Sequence, residues 1–313
     1  MSWSAGQDTP PAAPFGAAGG RLRAASARFL AGQWATEVTR LGSSRIALCL
    51  VLALWASSVG AEEPNEPSEP SQYTQSEIAK QLHNPLSNLR EIIFQLDVLP
   101  DVGPDGKTNW ATTIQPVWPF PLVADWKLVT YSIIPVVSQP GLTPGADRTS
   151  GLGDSTFFGY LVPPNEGQII WGFGPALQVP THTDDDLGID KWAAGPALIV
   201  GVQPGNWSIF GLLDNVWSFA GSDSEDVNLL NFQYQAVRLF PRDWFFITNW
   251  VVEADWEARS GDRWTVPIGG GFGKQFKLFG NQFQAYGQVG YNVVRPDGDA
   301  ATWRAILALT AVF

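Results

Sequence analysis

Sulfur and imidazole are scarce in this 313-residue chain, which has one cysteine (Cys49), one methionine and two histidines, His83 and His182. A lone cysteine forms no internal disulfide, and two histidines without thiols are a poor donor set for a metal, so no metal and no cofactor is expected. Long hydrophobic runs are missing too. The longest charge-free apolar stretch, Ile46–Trp55, has ten residues, whereas a membrane helix needs roughly 20. Basic residues are the third shortage, 19 against 30 acidic ones. That balance argues against nucleic acid as a partner.

What is present at the front suits export. Ten apolar residues fit the hydrophobic region of a signal peptide, Arg40 and Arg45 supply its positive flank, and Val59 and Ala61 occupy the positions a leader peptidase reads. Cleavage is expected after Ala61. The residues before that flank show no periodicity and have no place in a leader. A translation start further in, for example at Val38 or Leu41, accounts for them better than an extra domain. Removing residues 1–61 takes away five arginines, two acids and three tryptophans, leaving 14 basic and 28 acidic residues and 12 tryptophans.

Glu62–Gln72 is acidic and proline-rich, which predicts a disordered tether. Over 73–89, Ile78, Leu82 and Leu86 recur at four-residue intervals and predict a short helix ended by Asn84-Pro85. Twelve strand-like segments follow, at 90–98, 108–118, 126–137, 153–162, 168–179, 192–202, 207–216, 227–238, 244–255, 264–276, 282–293 and 303–313. Several alternate cleanly. Phe283, Ala285, Val289 and Tyr291 share one face opposite Gln282, Gln284, Tyr286 and Gln288. Asn231, Gln233 and Gln235 oppose Leu230, Phe232 and Tyr234. Trp244, Phe246, Trp250 and Trp256 fall on a single aromatic face.

The polar faces carry amides, which suits an enclosed polar lumen better than the solvated face of a sandwich. The connections alternate as well. Short ones built on Pro, Gly or Asn (119–123, 163–167, 203–206, 241–243, 279–281) take turns with longer acidic ones (101–107, 139–149, 181–191, 220–226, 257–263, 295–300). Short periplasmic turns and long outer loops are the rule of outer-membrane barrels. The chain also ends on its most apolar strand. Trp303, Ala305, Leu307, Leu309, Ala311 and Phe313 lie on one face, and a terminal aromatic on a closing strand is read here as an assembly signal. The expected fold is therefore all-β, an antiparallel transmembrane barrel of about 12 strands. Its organisation is a leader with an over-long extension (1–61), a periplasmic tether and short helix (62–89), and an outer-membrane barrel (90–313).

Charged residues inside strands (Asp214, Arg238, Glu253, Asp255, Lys274, Arg304) are too costly in mid-bilayer lipid, so each should face the lumen or sit at an interface. Lumen-lining candidates are Asn231, Gln233, Gln235, Asn249, Glu253, Gln282, Gln284, Gln288 and Arg304. Other motifs carry less. Asp184–Asp186 and 222–226 lack calcium-loop spacing. Gly269–Lys274 lacks the first glycine and the final Ser or Thr of a phosphate loop; its glycines suit a bend or the space opposite a large ring. His182, a loop acid and Ser222 could imitate a hydrolase set, but nothing holds them on rigid strands, and no enzyme is expected.

From about Asn84 onward the chain resembles a family of bacterial outer-membrane transport proteins related to the outer-membrane protein of a phenol meta-cleavage pathway, a group often mislabelled neuromedin U. The stretches that carry it are Asn84-Pro-Leu-Ser-Asn-Leu89, Trp126-Lys-Leu-Val-Thr130, Ile170-Trp-Gly-Phe-Gly-Pro175, Asp190-Lys-Trp-Ala-Ala-Gly-Pro196, Asn215-Val-Trp-Ser-Phe-Ala-Gly221, Gly261-Asp-Arg-Trp-Thr-Val-Pro-Ile-Gly-Gly-Gly271 and Tyr291-Asn-Val-Val-Arg-Pro296. The resemblance implies a barrel and suggests passage of small molecules, aromatic ones included. Outer-membrane lipid, lipopolysaccharide, the barrel assembly machinery and a small solute are the expected partners. A structural or surface-binding barrel with a plugged lumen is the alternative.

Overall fold

Strict period-two alternation becomes strand after strand with one face turned in and the other out. The computed structural model describes residues 75–313 apart from 142, 165, 166, 298 and 299. The expected leader and the tether lie outside the described residues. A short helix α1 (Gln75–Gln81) comes first, followed by β1 (Glu91–Val102), β2 (Lys107–Pro121), β3 (Lys127–Gln139), β4 (Thr149–Leu152), β5 (Ser155–Val162), β6 (Ile169–Val179) and β7 (Lys191–Val202). Then come β8 (Trp207–Gly221), β9 (Asn228–Leu239), β10 (Trp244–Asp255), β11 (Trp264–Leu278), β12 (Asn281–Val294) and β13 (Trp303–Val312). Both β4 and β5 pair with β3, so they are two halves of one stave broken at Gly153-Asp154. The barrel thus has twelve staves, all antiparallel.

Sequential neighbours pair, and β1 meets β13 from Glu91↔Val312 to Val98↔Ala305. Closure leaves no edge strand. That satisfies the backbone where no water can, and it is how the barrel can span a membrane although no helix among the described residues is long and apolar enough to do so. The outer face supports this placement. Leu198, Val200, Ile209, Leu213, Ile268, Val289 and Leu307 form an exposed apolar belt. Trp110, Trp192, Trp217, Trp264 and Trp303 edge it on the long-loop side, and Phe120, Trp171, Trp244 and Phe240 on the short-turn side. Amphipathic rings collect at both interfaces of a bilayer, and such girdles mark an outer-membrane barrel.

Arg238 and Lys274 point outward, at the short-turn rim. Each cation lies over an aromatic ring, Arg238 5.4 Å from Trp207 and Lys274 5.6 Å from Trp244. These are interfacial snorkels, with aliphatic stems along the wall and charge at its edge.

One wall segment departs from the expected pattern. β10 and β11 pair from Trp244↔Lys274 to Ile247↔Gly271 and again at Glu253↔Thr265, with no pairing between. Pro267, which has no N–H to donate, sits in that stretch of β11. Trp250, expected on the outer aromatic face, is instead 1 % exposed and packs with Tyr234, Tyr286, Ile306 and Ala308. The unpaired stretch lets its ring pass through the wall. Gly290 makes the space, since a Cβ there would fall 2.6 Å from the ring. Gln288 of β12 replaces the lost partner: its Oε1 accepts from the Asn249 amide at 3.1 Å, and its Nε2 donates to the Asn249 carbonyl at 2.6 Å.

Candidate functional site

The lumen is built from both ends inward. At the short-turn end, α1 and the turn after it occupy the mouth. The helix stops before Asn84-Pro85, where the Asn84 side chain accepts from the Leu86 amide at 3.0 Å. That local bond competes with helix continuation. The segment is then held by the wall's polar side chains. Ser208 Oγ and Gln235 Nε2 both donate to the His83 carbonyl at 2.9 Å. Gln275 donates to the Ala79 carbonyl at 3.1 Å and Gln284 to the Leu82 carbonyl at 3.4 Å. Lys127 donates to the Leu86 carbonyl, and Gln203 to the Lys80 carbonyl at 2.8 Å. These donors come from β3, the β7–β8 turn, β8, β9, β11 and β12, so the plug is gripped around much of the circumference.

His83 carries the deepest contact. Its Nε2 lies 3.2 Å from Gln275 Nε2, and its ring meets Phe245 edge-on with centroids 4.5 Å apart. Because Gln275 Nε2 is a donor here, His83 Nε2 must be the acceptor, which requires a neutral ring. Burial lowers the His83 pKa to about 3.

Above the plug is a cavity of about 200 Å³. Pro85 of the plug touches its floor, and Asp154, at the break between β4 and β5, its other end. One wall is apolar and aromatic: Tyr131 and Phe158 stack with centroids 5.5 Å apart, Phe158 and Tyr160 at 5.8 Å. Another wall is polar. Asp214, Asn231 and Glu253 stand level on β8, β9 and β10, each in cross-strand register with the next. Asp97 and Arg304 close the ring from β1 and β13, with Arg304 Nε donating to Asp97 Oδ1 at 2.7 Å. This ion pair lies between neighbouring staves and does not bridge the lumen. At the outer end His182 Nδ1 lies 2.6 Å from Asp154 Oδ1.

The named candidates fall into four groups. Asn231, Gln233, Gln235, Asn249, Glu253 and Arg304 border the cavity. Gln284 belongs with the plug contacts, as Gln235 also does, and Gln288 repairs the wall. Gln282 sits at the short-turn rim, bonded to the Phe283 carbonyl. His182 pairs with Asp154 and the Ser222 hydroxyl donates to Asp190, so His182 and Ser222 each bond an acid rather than each other. Sequence reading missed Tyr131, Phe158 and Tyr160 as a cavity wall. Alternation on β3 and β5 points them inward, but an apolar residue on an inward face carries no polarity contrast to reveal it.

The architecture is shared with solved outer-membrane proteins. The COG4313 outer membrane channel from Pseudomonas putida F1 matches with a TM-score of 0.56 at 19% identity, over 79% of this chain and 100% of that one. The NanC porin matches at 0.44 and 9% identity, over 72% of this chain and 98% of that one. A Pseudomonas aeruginosa FadL homologue matches at 0.39 and 10% identity, over 73% and 91%. No family model and no curated protein matches the chain. At these identities the likeness to the Pseudomonas putida channel is one of fold, and function rests on the lumen.

Proposed function

We propose that this protein passes small, partly apolar solutes across an outer membrane through a lumen closed at rest by its own N-terminal segment. One observation carries the reading. The cavity is walled partly by aromatics and partly by hydrogen-bonding groups, the lining of small-molecule sites, and it lies between an outer loop and a plug held by side-chain hydrogen bonds. Its neutral hydrogen bonds contribute only about 1 kcal/mol each net; the Lys127 bond and the buried Leu82 and Leu86 add to the grip, but releasing all of them breaks no strand pairing, so the plug can leave without unfolding the barrel. The fold shared with the Pseudomonas putida channel and the motifs quoted above support placing the chain in the phenol-pathway-related transport family. The Asp97–Arg304 pair favours transport over a filled structural barrel, because it leaves the passage unbridged.

Single-channel recording in planar bilayers tests this. The wild-type protein should give rare, discrete openings. Gln235→Ala with Gln275→Ala removes three bonds to the plug and should raise open probability at least tenfold, with the single-channel step unchanged. Folded double variant that stays silent would leave only the structural barrel.

A further inference from the structure

The polar wall of the cavity carries more acids than bases. Four acidic residues border it, Asp97, Asp154, Asp214 and Glu253, against one base, Arg304. Arg304 is ion-paired with Asp97 and acts on Glu253 only through space, without a hydrogen bond, while Asp154 is engaged by His182. Asp214 and Glu253 remain, and neither has a cation in hydrogen-bond contact among the described residues. Glu253 is 4 % exposed, and its Oε1 has no hydrogen-bond partner among the described residues. Asn231, between the two acids, donates its amide to Asp214 at 2.9 Å and leaves its own Oδ1 without a partner among the described residues. Buried carboxylates and amide oxygens left like this are costly in a low-dielectric site, so the arrangement suits a missing donor.

The geometry points to an organic ammonium ion as that donor. An ammonium has three N–H donors. Three acceptors (Asp214, Asn231 Oδ1, Glu253) stand level on adjacent strands about 4.8 Å apart, with Asn231 between the two acids. The stacked rings of Tyr131, Phe158 and Tyr160 receive the rest of the molecule, and an aromatic face adds attraction for a nearby cation. Size limits the body. A cavity of roughly 150 Å³ accommodates benzene, so about 200 Å³ takes one ring and a short chain. We infer that the lumen binds single-ring primary amines in their protonated form, with the ammonium over Asn231 between Asp214 and Glu253. This names a substrate class for the solute passage proposed above and rests on that reading.

The test separates the two. Calorimetric titration of the detergent-folded protein would use 2-phenylethylamine, its neutral counterpart 2-phenylethanol, and phenylacetate, all at one ionic strength and neutral pH. Amine binding at least tenfold tighter than the alcohol, with phenylacetate weaker still, is expected. Glu253→Gln and Asp214→Asn should each abolish the preference for amine over alcohol. Both variants are isosteric, and the heat-dependent gel shift of a folded barrel verifies their state. Equal binding of amine and alcohol would mean neutral acids and overturn the inference, as would preference for phenylacetate or no amine binding. Amine flux into proteoliposomes is measured separately. Amine-selective binding without flux sinks the transport reading and keeps the site; flux without amine preference does the reverse.

Discussion

At the scale of single residues, the lumen is organised by a few groups whose replacement has a definite sign. Asp97 and Arg304 are both nearly buried, and Asp97 Oδ2 also accepts from Gln95 Nε2 at 2.8 Å. Arg304→Met would leave a buried carboxylate without its cation, a change that costs about 3–5 kcal/mol. The double variant Asp97→Asn/Arg304→Met should recover most of it, measured as urea midpoints in detergent. Gly273 is equally constrained, since a Cβ there would lie 2.2 Å from the Phe245 ring and 2.6 Å from the Ala285 carbonyl. Gly273→Val should therefore destabilise the barrel by roughly 1–3 kcal/mol or prevent its folding. That glycines oppose large rings was legible in the sequence. The inward turn of Trp250 was not, because period two assigns it to the outer face and only the unpaired stretch of β10 and β11 releases it. The amides Gln235 and Gln284 reach the N-terminal segment, but their partners sit more than 150 residues away in the chain, and no spacing rule reaches them.

Among the elements, the N-terminal segment is the one the proposed opening would release. Strand positions were legible because apolar-polar alternation and turn residues mark each stave locally. The short helix expected to end at Asn84-Pro85 runs Gln75–Gln81 among the described residues, since the stretch beyond it is shaped by the lumen it enters. Its docking should depend on pH. His83 is held near a pKa of about 3 when docked, against about 6.5 when released. A folded pKa that is lowered leaves docking at full strength above the released value and weakens it as pH falls from 6.5 toward 3. At pH 5 the loss is roughly thirtyfold in the docking equilibrium, about 2 kcal/mol. Channel open probability should rise accordingly between pH 7.5 and pH 5. His83→Gln keeps an acceptor without titrating and should flatten that rise; an unchanged pH response in this variant would show that His83 is not its source.

For the whole molecule, the decisive act is closure of the first strand against the last. Everything else about the barrel is pairing between sequence neighbours, but the β1–β13 seam joins residues more than 200 positions apart, and its loop-closure entropy is met only at the end. Phe313 lies at this seam. Its amide donates to the Arg90 carbonyl at 3.0 Å, while its ring is largely exposed on the lipid side. A ring already facing lipid adds little to the stability of the finished barrel, because leaving it there or trimming it changes little buried surface. A ring that is read by assembly factors would matter before the seam closes. Phe313→Ala should then lower the amount of folded protein recovered in outer membranes at least several-fold, while the urea midpoint of the protein that does fold shifts by less than about 1 kcal/mol. A parallel fall in both would make Phe313 a structural residue of the seam. A fall in neither would leave the terminal aromatic without a part in assembly, and the closing signal would have to lie elsewhere along β13.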